Sequence, residues 1–135
     1  MVKTKIQIRF SDCDMMNHVN NAIYLQYFEM ARMHFFNQDL PNWDWQSRGI
    51  ILAKNTIEYK QPVFLKDNCI VEVNCIHIGT TSFTLSYHLS SNQNNKLVLK
   101  TYGESVLVCY DFTKNERISI PKSILTTLKN NFVKL

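Results

Sequence analysis

The loop from Asp12 to Asn21 carries the side chains of this sequence that are best suited to chemistry. The carboxylate of Asp14 can act as a nucleophile or as a general base. Asn21 precedes an apolar segment with helical periodicity, and the first N–H groups of a helix lack partners and lie at the positive end of its dipole. Such N–H groups can stabilise negative charge that develops on an oxygen. The pattern therefore predicts a carboxylate and an oxyanion donor that face one cleft at the start of a helix.

Other polar residues of this loop have structural interpretations beside chemical ones. His18 can be a second acid or base, because its unperturbed pKa lies near ~6.5, or it can order the loop by bonding the backbone. We expect Asp12 to order the loop through backbone N–H groups, and Asn20 to cap the helix with substrate contact as a lesser possibility. Cys13 and His18 resemble a nucleophile and base, but nothing in the sequence indicates a lowered thiol pKa.

The helix that must position this loop is predicted over residues 22–37, which contain no Gly or Pro. Four apolar residues follow one another at helical spacing, namely Tyr24, Phe28, Ala31 and Phe35. The other sides of the segment are hardly polar, so the helix must be wrapped by the rest of the chain. Glu29 and Arg32 are predicted to pair within the helix, with reach to a neighbouring strand.

The remaining segments predict an antiparallel sheet and a second helix. The predicted strands are residues 3–10, 50–60, 68–78, 81–90 and 97–112, and a hairpin loop is expected over 91–95. Pro121 suits the first turn of a short C-terminal helix. Strands that follow one long helix indicate a single α+β domain over residues 1–135, because tight hairpins join antiparallel neighbours.

Composition excludes several classes of function. The 135 residues are 45% hydrophobic with a net charge of +4, and no basic run suggests nucleic-acid binding. No segment approaches the ~20 apolar residues that a membrane-spanning helix needs. The four cysteines form no CxxC pair and the chain opens without a signal peptide, so reduced thiols in the cytoplasm are expected. The histidines lack metal-ligand spacing and there is no glycine-rich phosphate loop, so we predict neither a metal nor a cofactor.

Residues 9–32 read RFSDCDMMNHVNNAIYLQYFEMAR and resemble the 4-hydroxybenzoyl-CoA thioesterase-like branch of the hotdog superfamily. Members of that branch commonly read D-x-D, then G-H-V-N-N, then Y-L-x-Y-x-E-x-A-R. Twelve positions match at the family spacing: Asp12, Asp14, His18, Val19, Asn20, Asn21, Tyr24, Leu25, Tyr27, Glu29, Ala31 and Arg32. A weaker match continues through Glu58, Tyr59, Pro62 and Asp67 and through residues 81–84.

The resemblance implies a hotdog fold, in which a curved antiparallel sheet of about five strands wraps one long helix and a short C-terminal helix follows. It also implies a homodimer or homotetramer. The implied activity is that of an acyl-CoA thioesterase, which hydrolyses the thioester to a free acid and CoA, so that CoA is part of the substrate. By the same resemblance Asp14 is the catalytic nucleophile or general base, the backbone N–H of Asn21 polarises the carbonyl, and His18 orders the loop.

Substrate contacts are expected partly from the resemblance and, for Met15 and Met16, from thioether side chains that replace the family's usual small residues and can narrow or line the acyl slot. The expected contacts are Met15, Met16, Asn20, Tyr24, Thr81 and Ser82. The HVNN form and the Met and Phe side chains favour a fatty-acyl over an aromatic substrate. Asn17 stands where the family usually has Gly, and Asn tolerates the left-handed conformation. The turn at residues 79–82 lacks the basic residues that some members use for the nucleotide. Lysines available for the CoA phosphates are Lys54, Lys60, Lys66, Lys96, Lys100 and Lys114.

Three alternatives stay open. One is a hotdog dehydratase or hydratase that uses His18 and Glu29, although the sequence lacks the Pro-rich turn of that branch. Another is a module that binds acyl-CoA or an acyl carrier protein without turnover, because fold alone does not determine function. The carrier of the acyl group, CoA or acyl carrier protein, is also open.

Overall fold

A computed structural model describes residues 2–135. In this range six strands and two α-helices follow one another, with a short 3-10 helix at Phe10–Asp12 before the first α-helix. They are β1 (Val2–Ile6), α1 (Ile23–Asn37), β2 (Arg48–Tyr59), β3 (Cys69–Ile78), β4 (Ser82–Gln93), β5 (Lys96–Asp111), β6 (Glu116–Arg117) and α2 (Lys122–Asn130).

The strands form one antiparallel sheet in the order β1-β3-β4-β5-β2, and β6 pairs with β5. The predicted α+β class with an antiparallel sheet is therefore confirmed. The described strand β2 pairs only with β5 and so lies at one edge of this sheet. The site loop and α1 both come between β1, at the opposite edge, and β2.

Helix α1 packs on the inner face of the sheet through the apolar stripe predicted from its spacing. Tyr24, Phe28, Ala31 and Phe35 are all buried. The ring of Phe28 stacks on Tyr87 of β4, with centroids 4.6 Å apart and planes 7° from parallel. Gly103 of β5 makes room for this pair, because a Cβ there would lie 2.5 Å from Cε2 of Phe28. This packing fixes the distance between α1 and the sheet, and it thereby positions the loop that precedes α1.

Element boundaries differ from the prediction by more than two residues in two places. The first strand ends at Ile6 rather than at residue 10, because the chain turns into the 3-10 helix that Asp12 closes by accepting from the N–H of Arg9. Strands β4 and β5 extend through most of the predicted hairpin loop and leave a turn at Asn94 and Asn95. Both residues have positive φ, 53° and 65°, the conformation that a two-residue hairpin turn requires.

Within residues 2–135, neither helix combines the length and the hydropathy that a membrane crossing requires.

Candidate active site

The loop before α1 folds back on itself through its own backbone. The N–H of Asp14 donates to the carbonyl of His18 at 3.0 Å, and the N–H of Asn17 donates to the carbonyl of Asp14 at 3.1 Å. Asn17 has a φ of 63°, so it adopts the left-handed conformation that was expected for the residue in the family's glycine position. The turn brings His18 back beside Asp14.

The carboxylate of Asp14 has one oxygen held by the loop and one oxygen free. Its Oδ1 accepts from the N–H of Met16 at 2.9 Å and lies 3.9 Å from Nδ1 of His18. Its Oδ2 accepts no hydrogen bond from residues 2–135. Since a quarter of the side chain is exposed, this oxygen is available to a ligand or to water. The arrangement suits a nucleophile or a general base whose orientation is fixed by its second oxygen.

Asn20 and Asn21 form the turn that leads into α1. The side-chain oxygen of Asn20 accepts from the N–H of Ala22 at 3.0 Å, and its carbonyl accepts from the N–H of Ile23 at 2.9 Å. Asn20 thus closes the turn before the helix, whose first residue is Ile23, instead of bonding to the first helical turn with its side chain. The N–H of Asn21 finds no acceptor in the described chain, and its residue is exposed. It is therefore free to donate to a ligand.

The turn at Asn20 and Asn21 is also held by Tyr59, the last residue of β2, through its hydroxyl. This hydroxyl donates to the carbonyl of Asn21 at 2.8 Å. The ring of Tyr59 meets Tyr24 edge to face, with centroids 5.0 Å apart. Tyr24 itself is buried, and its burial raises the pKa of its hydroxyl. Tyr24, which was expected to contact substrate, therefore lies beneath the turn as part of its support within one chain.

Asp12 orders the loop, as the sequence predicted. It is almost completely buried, and its carboxylate accepts from the N–H of Arg9 at 3.0 Å, from the Arg9 guanidinium at 2.9 and 3.1 Å, and from the hydroxyl of Tyr27 at 2.7 Å. Burial by itself raises the pKa of Asp12, but these hydrogen bonds outweigh it and hold the pKa below its ordinary value. Asp12 is thus an ionised structural group.

Cys13 is an unfavourable nucleophile in this loop. Burial, together with the negative charges of Asp12 and Asp14, raises the pKa of its thiol. A raised pKa leaves less thiolate, which is the reactive form. The structure therefore supports a carboxylate over a cysteine as the reactive group beside His18.

A cavity of about 340 Å³ opens beside the loop. Its lining residues are Phe10, Cys13, Asn17, Phe64, Leu65 and Lys66. Phe64 belongs to the segment that joins β2 to β3, and it pairs with His18 in an isolated antiparallel bridge. The ring of His18 meets the ring of Phe64 edge to face at 6.1 Å. The cavity therefore adjoins the candidate catalytic loop and is walled mainly by apolar side chains.

The other expected substrate contacts are scattered within one chain. Met15 and Met16 are exposed and neither lines the cavity. Thr81 and Ser82 lie at the beginning of β4, whereas the segment with Phe64 attaches near its end through the hydrogen bond from Ser91 to Asp67. The strand between Ser82 and Ser91 spans roughly 30 Å at ~3.3 Å per residue. One chain alone does not bring Thr81 and Ser82 to Asp14.

The predicted pair of Glu29 and Arg32 is not formed. Arg32 is buried and donates from Nη1 to the hydroxyl of Tyr87 at 3.0 Å, so it reaches the neighbouring strand β4. Glu29 lines a different cavity, of about 510 Å³, between the chain after β1 and the outer face of α1. His18 is not among that cavity's lining residues. Within one chain, the structure does not place His18 and Glu29, the two groups that the dehydratase alternative requires together, at the same cavity.

The sequence did not place three neighbours beside this loop: Phe64 was not singled out, Tyr59 was named only as part of the weaker family match, and Lys100 only as a lysine available for phosphates. The side chain of Lys100 lies with its Nζ over the ring of Phe64, 5.9 Å from the centroid. All three contact the site from distant segments, and no spacing pattern links them to Asp14 or Asn21. Pro62 was the only nearby signal, because it indicated where β2 must end.

His, Cys, Asp and Glu side chains of residues 2–135 form no group of three that could hold a metal ion.

Comparison with known proteins relates this chain to thioesterases. Residues 8–128 match the family model of the thioesterase-like superfamily. A relative from Aquifex aeolicus (strain VF5) is 30% identical, with 92% of this chain and 94% of the relative covered. The acyl-CoA thioester hydrolase YbgC of Escherichia coli O157:H7 is 25% identical, with 92% of each chain covered.

A solved structure extends this similarity to three dimensions. The thioesterase from Thermus thermophilus, complexed with coenzyme A and Zn, superposes with a TM-score of 0.81. It is 26% identical in sequence, and the match covers 95% of this chain and 91% of that chain. The hotdog fold predicted from the sequence is thereby confirmed.

Proposed function

The chain belongs to the thioesterase-like superfamily and is a thioester hydrolase, and we propose that it hydrolyses acyl-CoA thioesters to free acid and CoA with Asp14 as its catalytic carboxylate. The observation that carries the proposal is the state of Asp14, whose Oδ1 is held by the N–H of Met16 while its Oδ2 is free. The relative YbgC, named an acyl-CoA thioester hydrolase, and the CoA complex of the Thermus thioesterase support the substrate class.

Two routes suit this carboxylate. As a general base, Asp14 takes a proton from water while the water oxygen bonds to the thioester carbonyl carbon and the thiolate of CoA departs. As a nucleophile, Asp14 itself bonds to that carbon and expels the thiolate, and water then cleaves the mixed anhydride. In both routes the free N–H of Asn21 donates to the carbonyl oxygen as negative charge develops there. The thiolate is protonated to give CoA.

His18 serves mainly to order the loop in this proposal. Its carbonyl accepts from the N–H of Asp14, and its ring packs against Phe64. Its Nδ1 lies 3.9 Å from Oδ1 of Asp14, the carboxylate oxygen that the loop already holds. Truncation of His18 should therefore impair turnover less than loss of the Asp14 carboxylate does.

The acyl group is proposed to be aliphatic rather than aromatic. The cavity that Cys13 and Asn17 of the loop line is walled by Phe10, Phe64 and Leu65, and such an apolar wall suits a methylene chain. Exposed Met15 and Met16 can fold over that chain, because a thioether adapts to irregular apolar surfaces. An acyl carrier protein in place of CoA is the second possible carrier of the same group.

The proposed assembly is a homodimer, with a homotetramer as the larger alternative. The edge strand β2 exposes unpaired backbone together with Ile51 and Leu52, and an open apolar edge invites pairing with another strand. A second copy is then the source of the Thr81 and Ser82 hydroxyls that one chain holds far from its own Asp14. Light scattering tests the assembly.

The proposed location is the cytoplasm, since the four cysteines at 13, 69, 75 and 109 are free and a reducing compartment keeps them so. The proposed reaction uses a carboxylate, a backbone N–H and water, and so it calls for no cofactor beyond the CoA of the substrate.

The test is release of free thiol, read with a chromogenic disulfide, from acyl-CoAs between acetyl and palmitoyl and from aromatic acyl-CoAs. Asp14→Asn should lower kcat by about a hundredfold or more, because a positioned acid or base contributes that much. Asp44→Asn is the matched control, since Oδ1 of Asp44 accepts from the N–H of Gln46 at 3.1 Å in the same kind of turn. The control should keep its activity.

A folded Asp14→Asn protein with full turnover would overturn the catalytic role of Asp14. If the folded wild type released no thiol from any acyl-CoA, the result would instead favour an acyl-carrier-protein substrate or a module that binds acyl groups without turnover. Formation of a double bond from 3-hydroxyacyl-CoA, followed by absorbance, would indicate the dehydratase alternative.

A further inference from the structure

Lys100 is a buried cation without an anionic partner. It is 3% exposed, and lysine is rarely buried to that degree unless it is paired. The ion pairs among residues 2–135 join Arg9 to Asp12, His18 to Asp14 and Lys60 to Glu58, and none includes Lys100. The side chain of Lys100 also makes no hydrogen bond to any residue of the described range. Among residues 2–135, Nζ of Lys100 is not one of the fully enclosed side-chain atoms that lack a partner, so the ammonium group keeps a small opening through which an anion can approach.

A pairing irregularity explains why this lysine points inward. Between β4 and β5 the register shifts, so that Leu89 faces Thr101 whereas Ser90 faces Leu99. Lys100 is the extra residue at this shift, and both it and Thr101 are buried, against the usual alternation of a strand. The local backbone thus places Lys100 under the segment that joins β2 to β3.

The ring of Phe64 lies between the ammonium group of Lys100 and the candidate catalytic loop. Nζ of Lys100 is 5.9 Å from the centroid of Phe64, and the same ring meets His18 at 6.1 Å. Phe64 also lines the cavity of about 340 Å³ beside Asp14. Attraction to the ring face offsets only part of the cost of burying an ammonium group.

The carboxylates nearby are engaged by other donors. Asp67 accepts from the N–H of Phe64 at 2.7 Å and from the hydroxyl of Ser91 at 3.3 Å, and it is not within ion-pair distance of Lys100. Asp14 pairs with the loop and faces His18. Lys66 adds a second positive charge at the wall of the cavity. Nζ of Lys100 is thus left without a carboxylate within ion-pair distance and can bind an incoming anion.

We propose that Lys100 binds a carboxylate at the far end of the substrate's acyl chain, so that ω-carboxyacyl thioesters are the favoured substrates. The proposal rests on the thioesterase function proposed above and names its substrate class. The thioester carbonyl lies at Asp14 and Asn21, the methylenes lie along the apolar cavity wall, and the carboxylate reaches Nζ past the partly exposed ring of Phe64. A lysine this deeply buried suits the acyl end of the ligand, whereas the bulky CoA phosphates require an open surface.

Binding of two thioether analogues tests the proposal without hydrolysis. S-(5-carboxypentyl)-CoA carries the terminal carboxylate, and S-hexyl-CoA lacks it. Isothermal titration calorimetry of the wild type should give a Kd about tenfold lower for the carboxylated analogue, as expected for one charge-assisted contact. In Lys100→Met that preference should vanish or reverse. Lys122→Met, at the exposed beginning of α2, is the control and should keep the preference.

Equal affinity of the wild type for the two analogues overturns the proposal, whether or not any variant folds. Circular dichroism verifies the fold of Lys100→Met, and Lys100→Gln provides a second variant that keeps a hydrogen-bond donor without the charge. The same pair of ligands built on pantetheine removes every phosphate. If Lys100→Met weakens both CoA analogues equally and leaves the pantetheine pair unaffected, the lysine serves the CoA phosphates and the proposal is wrong.

Hydrolysis of adipoyl-CoA against hexanoyl-CoA separates this proposal from the proposed function. The kcat/KM ratio should favour adipoyl-CoA about tenfold in the wild type and fall to unity or below in Lys100→Met. A binding preference that persists without any hydrolysis would uphold the Lys100 site and refute the thioesterase function. Hydrolysis of both substrates without a preference for adipoyl-CoA would uphold the thioesterase function and refute the Lys100 site.

Discussion

The hydroxyl of Tyr59 donates to the carbonyl of Asn21 at 2.8 Å and so ties the end of β2 to the turn before α1. Asn21 is the residue whose N–H finds no acceptor among residues 2–135 and is proposed as the oxyanion donor. A donor contributes most when it is held in place before the charge develops. The bond from Tyr59 thus holds the donor's segment from a part of the chain that is distant in sequence.

Tyr59→Phe should lower kcat about three- to tenfold while the free energy of unfolding changes by only about 0.5–1 kcal/mol, the net contribution of one exposed hydrogen bond. The reason is that the ring contact with Tyr24 survives and only the anchor of the turn is lost. Thiol-release kinetics and urea unfolding measure the two effects.

Tyr110→Phe serves as the control for Tyr59→Phe, because the Tyr110 ring packs on Phe112 and its hydroxyl has no partner among the described residues. Tyr110→Phe should change neither kcat nor the free energy of unfolding. An unchanged kcat in Tyr59→Phe would show that the turn keeps its geometry without the anchor.

Asp12→Asn should destabilise the protein by about 2–3 kcal/mol at neutral pH, since the buried carboxylate accepts charge-assisted hydrogen bonds that an amide cannot replace. The folded pKa of Asp12 lies below its ordinary value of 3.8. Its ionised form therefore stabilises the fold fully above that value, and this contribution is lost as the pH falls through the folded pKa. The difference in free energy of unfolding between the wild type and Asp12→Asn should therefore become smaller at acidic pH.

Urea unfolding of wild type and Asp12→Asn at about pH 7, 5 and 3 measures this dependence. Asp44→Asn, at an exposed turn, should show no comparable deficit at any of these pH values. A deficit for Asp12→Asn that stays constant down to the lowest pH would mean that the lost contacts do not depend on the charge of Asp12.

The sequence predicted those features that arise from neighbouring residues. The stripe of Tyr24, Phe28 and Phe35 determines both the extent of α1 and its buried face, because helical spacing puts these residues on one side. The left-handed Asn17 follows in the same way, since Asn is one of the few residues that tolerates that conformation. The predicted position of the β4–β5 turn was wrong. The ends of these strands extend beyond the core and are polar, and a run of polar residues is typical of a loop.

Contacts between distant segments could not be predicted from one sequence. The register shift that turns Lys100 inward is a property of the pairing of two strands, and no pattern within β5 specifies it. Arg32 likewise pairs with Tyr87 instead of Glu29, because the neighbouring strand offers a buried hydroxyl where the helix surface offers only an exposed carboxylate. The local geometry of the loop was accessible from sequence, and the contacts that distant segments make with it were not.

Cys13→Ser should retain most of the wild-type kcat toward acyl-CoAs, although Cys13 lies directly before Asp14 and lines the adjacent cavity. Burial and the charges of Asp12 and Asp14 raise the pKa of its thiol, so at neutral pH the group is neutral and a weak nucleophile. Thiol-release kinetics measure the activity, and Asp14→Asn in the same assay provides the inactive reference. Loss of turnover in a folded Cys13→Ser protein, together with survival of Asp14→Asn, would transfer the catalytic role from the carboxylate to the thiol.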